Sequence, residues 1–363
     1  MRGGIETVVH ELLAALAVNT LDRHNRRVAV DCYCYAPQSS DERLSAGVML
    51  RRRRTTAVVA SAPMSVALAR AYWRERRTAE IIHVHLPNPW AALLVALLHT
   101  RASVIVSVHA TSTRYGLLQR PHAVLTHRVL RRADRIVVST LSNARLFGLG
   151  PYREKVCIIP YGIDPARLAP PGPVAEAVTD KTSQVLFVGR LVYYKGLDTL
   201  LSAAPALHGD VLLLGDGPLY LSLRARVEAD GLTGKVMFIR DADDATLARH
   251  LRDCAVVVLP SSTISESFGI SVLEAMAVGK PVVVSQLGTG LDELVRTARS
   301  GRIVPPNDAA ALATAINALL DDPAERARLG ANGQHAFWEH YTSDQMASRL
   351  LQLYETVASS RPH

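Results

Sequence analysis

The chain of 363 residues is short of cysteine and aromatic residues and has no long apolar run. Its four cysteines, Cys32, Cys34, Cys157 and Cys254, form no Cys-x-x-Cys pair, so a reduced, cytoplasmic protein is the simplest reading. Aromatic residues are 5% of the chain, too few for the interleaved basic and aromatic surface that stacks nucleic-acid bases, and no nucleic-acid partner is expected. No apolar run reaches the ~20 residues of a membrane span. The longest, Trp90 to Leu98, lies between Pro89 and His99. No signal peptide is expected, because residues 1–18 carry Glu6 and Glu11 and read as an amphipathic helix. Acidic residues are scarce in the first half. Residues 1–168 hold 24 Lys/Arg against 11 Asp/Glu, a balance of +13, and residues 169–363 hold 17 against 22, a balance of −5. The basic half is almost entirely arginine, with runs at Arg51–Arg54 and Arg74–Arg77. Such a surface suits an anionic membrane face or a phosphorylated acceptor; an arginine-rich solvated surface would look the same.

What the chain does have is apolar content of 48%, enough for globular folding, and a length that exceeds one hydrophobic core, so two domains are expected. Short apolar runs alternate with helical stretches throughout. In the first half, strands are expected at Val28 to Tyr35, from Ile81, from Val104, from Ala133 and from Lys155. The second half restarts at Val185 to Val188 after the linker Ala169-Pro-Pro-Gly-Pro173. This is the strand–helix alternation of parallel α/β sheets.

One stretch organises the rest: the run Ala255 to Leu259, a polar loop carrying Glu266, a helix from Ile270 carrying Glu274 and ending at Gly279, then the run Val282 to Val284. The amides of Phe268, Gly269 and Ile270 would lie unpaired at the helix start, a place that favours anions and polar oxygens. Two carboxylates beside free amides suit a polyhydroxylated, negatively charged ligand such as a nucleotide sugar. An ordinary surface loop with exposed glutamates could carry the same spacing. Upstream, Arg190 and Lys195 follow a strand. An arginine forks onto two phosphate oxygens and a lysine adds a point charge, which would offset the cost of a cation at a helix start. Gly215-Asp-Gly217 is a glycine turn between strand and helix. His83 and His85 share a strand face, and His109 ends the next strand.

The Glu266-x7-Glu274 stretch resembles the signature of retaining, nucleotide-sugar-dependent glycosyltransferases of the GT-B fold, family 4, and the resemblance runs from Gly3-Gly4-Ile5-Glu6 to the last helix. It implies two doubly wound Rossmann-like α/β domains facing across a cleft: an acceptor domain at 1–168 and a donor domain at 169–339, with a helix at about 340–363 crossing back to the first. It implies roles too. Glu266 and the amides of Phe268, Gly269 and Ile270 would hold the donor sugar, and Glu274 the ribose. Arg190 and Lys195 would hold the diphosphate. Gly4, Gly215 and Gly217 would lie near the nucleotide, and His109 by the sugar, although Thr111 stands where the family often has Asp. No metal is expected and no cofactor beyond the donor as co-substrate. Partners would be a nucleotide sugar, leaning to GDP-mannose or a related GDP-sugar, and a glycan or lipid-linked acceptor, at a peripheral site on the inner membrane face. A nucleotide-sugar 2-epimerase of the same fold competes with this reading, as does an inactive scaffold or nucleic-acid-binding protein. A glycosidase would set its carboxylates across the bond instead. The glycine turn arrives after only Met1 and Arg2, so the central first strand of the first sheet is expected to be missing, its neighbours facing a gap and the true start lying upstream.

Overall fold

The computed structural model describes residues 4–18, 28–59, 62–110, 119–168 and 183–360. The linker expected at Ala169–Pro173 and the position of Thr111 lie outside them, as does Gly3. In chain order the first elements are α1 (Gly4–Val18), β1 (Val30–Ala36), β2 (Ser40–Arg43), β3 (Val48–Arg54), β4 (Ala57–Val59), β5 (Ala62–Met64), α2 (Val66–Glu75), β6 (Ile81–Leu86), α3 (Pro89–Leu97), β7 (Ser103–Val108), α4 (Gln119–Arg132), β8 (Arg135–Val138), α5 (Leu141–Leu146) and β9 (Val156–Ile158). They are followed by β10 (Val185–Val188), α6 (Leu197–Ala203), β11 (Val211–Leu214), α7 (Tyr220–Ala229), β12 (Val236–Ile239), α8 (Asp244–Asp253), β13 (Val256–Leu259), α9 (Ile270–Ala277), β14 (Val282–Ser285), α10 (Gly290–Ala298), β15 (Gly301–Val304), α11 (Ala309–Leu320), α12 (Pro323–His340) and α13 (Ser343–Ser359).

The chain divides into two compact units, one of Val9–Pro160 with Ser343–His363 and the other of Met1–Val8 with Tyr161–Thr342. In the first, β6-β7-β8-β9 form a parallel sheet. Every residue of β7 is buried, and Val104, Val106, Ile136 and Val138 pack with Val95 of α3 and Val129 of α4. Side-chain caps from Ser65, Asn88 and Thr140 start α2, α3 and α5. A second sheet, β1-β3-β2, stands apart from it. Among the described residues no strand joins the two.

In the second unit all six strands are parallel, in the order β12-β11-β10-β13-β14-β15. Strands β10, β11, β13 and β14 are buried along their whole length, the run of apolar residues that a sheet covered on both faces demands. Order reverses between β10 and β13, and crevices that hold ligands open at the carboxyl ends of strands beside such a reversal.

Candidate functional site

Three loops meet at that reversal in the second unit. The loop after β10 carries Arg190 to Gly196. The loop after β11 carries Gly215 to Leu219, and the loop after β13 carries Pro260 to Gly269. Backbone hydrogen bonds lace them. Leu191 N donates to Asp216 O at 2.9 Å, Leu219 N to Leu191 O at 3.1 Å and Ser262 N to Tyr194 O at 2.8 Å. The approach is close enough to require glycine. A Cβ at Gly217 would lie 2.4 Å from the Leu191 carbonyl oxygen, and one at Gly196, which has φ +67°, would lie 1.8 Å from that of Pro260.

This lacing brings a cation and a carboxylate together. Lys195 Nζ lies 2.5 Å from Glu266 Oε2, and Ser261 Oγ lies 3.4 Å from the same oxygen. The lysine ends a short 3-10 turn just ahead of α6, where the sequence predicts a charge cost offset by phosphate; here Glu266 supplies the offset. Downstream, Gly269 takes φ +82° and starts α9 with no side-chain cap. Its glycine is needed for packing: a Cβ would sit 2.6 Å from Leu291 Cδ1. Phe268 turns its ring into the core against Tyr161, centroids 4.7 Å apart, and so offers a ligand only backbone. Ile270 is the first residue of α9, and Glu274, one turn on, is buried. Arg167 Nη2 stands 4.0 Å from Glu274 Oε1 and is forked onto Asp244 at 2.9 and 3.1 Å.

Arg190 is exposed and forms no ion pair with a described residue. Asp216, between the two glycines, is gripped by Arg240 through bonds of 2.8 and 3.0 Å, which holds its carboxyl below the usual range. Arg240 in turn lies over the Tyr220 ring, 4.4 Å from its centroid. The chain has one Asp-x-Asp spacing, Asp241-Ala-Asp243, and its use is structural. Asp243 caps α8 by accepting from Thr246 N at 2.8 Å, and hydrogen bonding from Thr246 holds its carboxyl below the usual carboxylate range. Among the described residues no three His, Cys, Asp or Glu gather as a metal site.

In the first unit, β6 and β7 place His83, His85 and His109 side by side. His85 Nδ1 and His109 Nε2 are 2.8 Å apart, and His83 bridges Ser107 Oγ at 2.8 Å and Tyr354 OH of α13 at 2.7 Å. Burial drives all three toward the neutral form. His85 is lowered to about 4, and His109, with His85 beside it, falls well below the ordinary imidazole value. A buried neutral imidazole at the end of β7 can give or take a hydrogen bond, but it is not a ready proton donor at neutral pH.

The arginine run differs from its appearance in the sequence. Arg51 binds Asp31 and Asp41 at 2.8 Å each, Arg52 binds Glu42 at 2.8 Å and Arg53 binds Asp41 at 2.5 Å. Strand β3 lies between β1 and β2, so its cations face carboxylates on both sides. Arg76 is also spoken for, stacked 3.9 Å over Trp73. The two runs offered as a membrane patch are therefore largely compensated.

Of the residues singled out from the sequence, Lys195, Glu266, Phe268, Gly269, Ile270, Glu274, Gly215, Gly217 and Arg190 all lie on the laced loops or on the helix that leaves them. His109 belongs to the other unit, and Gly4 is the first residue of α1. The structure adds Ser261, Arg167 and His85 as partners of Glu266, Glu274 and His109. The shared face of His83 and His85 hinted at the last, while nothing local marks Arg167.

A mixed α/β chain built on two doubly wound units with its loops gathered at a strand reversal has the GT-B architecture. Solved structures agree: it aligns with sucrose-phosphate synthase from Thermosynechococcus elongatus at TM-score 0.77 (22% identity, 99% of this chain, 94% of that one). HepE from Anabaena, solved with UDP, aligns at 0.74 (17% identity, 98% and 96%). At those identities they establish the fold alone. The model for glycosyl transferases group 1 matches residues 174–336, and a glycosyl transferase 4-like domain matches residues 3–162. The O-antigen chain mannosyltransferase C of Escherichia coli is 30% identical over 99% of this chain and 96% of its own length. D-rhamnosyltransferase WbpZ of Pseudomonas aeruginosa is 30% identical over 94% and 89%. A phosphatidyl-myo-inositol mannosyltransferase of Mycobacterium leprae is 32% identical over 77% and 74%. The chain belongs to the group 1 glycosyltransferases.

Proposed function

We propose that the protein is a retaining glycosyltransferase that moves mannose or a related sugar from a GDP-sugar to a glycan or lipid-linked acceptor in cell-surface polysaccharide or glycolipid synthesis. The observation that carries the reading is the Lys195–Glu266 pair held on loops that also present Arg190 and uncapped amides. On donor binding, Glu266 exchanges its lysine for sugar hydroxyls and Lys195 turns to the diphosphate, joined by the fork of Arg190. Charge that develops on the departing diphosphate is then met by preorganised cations, so the reaction proceeds without a divalent ion. Glu274 takes the ribose, and the amides of Phe268, Gly269 and Ile270 take sugar oxygens. Gly215 and Gly217 bring their turn close to the nucleotide. His109 serves as a neutral hydrogen-bonding partner of the sugar. The relatives named for mannosyl and rhamnosyl transfer support the sugar class and the acceptor class.

The work is done at the cytoplasmic face of an anionic membrane, touched by α4. Arg120, Val124, Arg128 and Arg131 fall on one stripe of that helix and are all exposed. These arginines have no carboxylate partner among the described residues, unlike the β3 run. Among the described residues, no helix is long and apolar enough to cross a membrane.

The test is incubation of the purified chain with GDP-mannose, GDP-rhamnose or UDP-glucose and a lipid-linked glycan acceptor, with and without EDTA. Release of the nucleoside diphosphate with a product of donor-like anomeric configuration, unaffected by EDTA, is expected. Conversion of the nucleotide sugar with no nucleotide released would identify the epimerase instead.

A further inference from the structure

The buried Glu274 does not stand alone on α9. Arg167 reaches it from the 3-10 turn Pro165–Leu168, a segment far from it in sequence. That turn is itself fixed. Asp164 Oδ1 accepts from Ala166 N at 2.9 Å, and Arg252 of α8 donates to Leu168 O at 2.7 Å. The guanidinium is then set in plane by its fork on Asp244, which opens α8. Exposure grades along this series: 56% for the Asp244 side chain, 25% for Arg167 and 8% for Glu274. The arginine thus spans from a solvated carboxylate to a buried one. At 4.0 Å it attracts the inner carboxylate without occupying a hydrogen bond to it.

We propose that Arg167 is a positioning residue: clamped by Asp244, it holds the Glu274 carboxylate aimed at two vicinal hydroxyls of a nucleotide ribose. This rests on the reading that Glu274 binds ribose. A carboxylate that must meet two hydroxyls needs a fixed rotamer, and a planar fork loses less freedom per bond than a flexible ammonium. Arg167 touches no reacting atom in this role and acts only through Glu274.

The experiment is calorimetric titration of the full chain with GDP and UDP, the tighter binder then compared with its 2′,3′-dideoxy form. Arg167→Ala is expected to weaken the ribonucleotide about 10-fold and to leave the dideoxy nucleotide within about 2-fold. Arg167→Lys recovers part of the loss, and Asp244→Asn, which loosens the clamp, costs about 3-fold for the ribonucleotide alone. Adding Arg167→Ala to Glu274→Gln costs at most about 2-fold more, since both remove one interaction. Equal loss of both nucleotides in Arg167→Ala, or a full further 10-fold on top of Glu274→Gln, overturns the role. If Glu274→Gln itself leaves ribonucleotide affinity unchanged, or if neither nucleotide binds, the ribose reading fails first and the role of Arg167 falls with it.

Discussion

Lys195 and Glu266 are 71 positions apart in the chain and 2.5 Å apart in space, with side-chain exposures of 12% and 11%. Removing the lysine strands a carboxylate that water barely reaches. Lys195→Ala is expected to lower unfolding free energy by about 2 kcal/mol, less than for a fully buried pair. It should also cut kcat by about 10²–10³, the scale of one lost charge-stabilising group. The double variant Lys195→Met with Glu266→Gln should regain stability and remain inactive. Urea unfolding and a donor-turnover assay separate the two effects; a double variant as unstable as Lys195→Ala would show that the ion pair is not the cause.

A methyl group at Gly196 or at Gly217 would collide with a neighbouring loop's carbonyl. Gly196→Ala is expected to destabilise by at least about 2 kcal/mol, because the left-handed φ adds to the collision. Gly288→Ala, with φ +69° and open space around it, is the control for backbone strain alone. Denaturation midpoints that match for the two variants would refute the collision.

The three histidines of β6 and β7 couple folding to acidity. Their folded forms bind protons less readily than an unfolded chain, so stability is full above the ordinary imidazole value of 6.5 and is lost as pH falls from there toward about 4. The slope approaches 1.4 kcal/mol per pH unit for each histidine, by about the constant that links protonation to free energy. Thermal midpoints measured from pH 7.5 to 4.5 should fall steadily, and His85→Gln should flatten the curve. An unchanged slope in that variant would assign the effect elsewhere.

Membrane contact should follow α4 and not β3. Substituting Arg120, Arg128 and Arg131 by Gln should reduce binding to anionic vesicles at low salt by roughly 1 kcal/mol per charge, while Arg51→Gln with Arg53→Gln should change it little. Sedimentation with phosphatidylglycerol vesicles is the measurement. The reverse ranking would return the contact to the arginine run.

Strands of the second unit were readable as short apolar runs, and the runs Val185 to Val188 and Val282 to Val284 fall where expected. Glu274 and Glu266 were readable because helix start and carboxylates sit within one stretch. Strand β3 was not. Its arginines hide a strand pattern, and the carboxylates that neutralise them, Asp31 and Asp41, become neighbours only through pairing on both edges. Arg167 was illegible for the same reason: its meaning depends on α8 and α9, which lie far downstream.

The reversal of strand order also sets a sequence in time. Strand β13 pairs with β10, but β11 and β12 with their helices are made between them. Loop closure over that distance must be met before the pairing returns any energy. A chain leaving the ribosome therefore carries Lys195 without a counter-charge until Glu266 has emerged and β13 has docked. The loops that carry Lys195 and Glu266 cannot be laced together until β13 docks, and a chain arrested before β13 would hold Lys195 with nothing to set it.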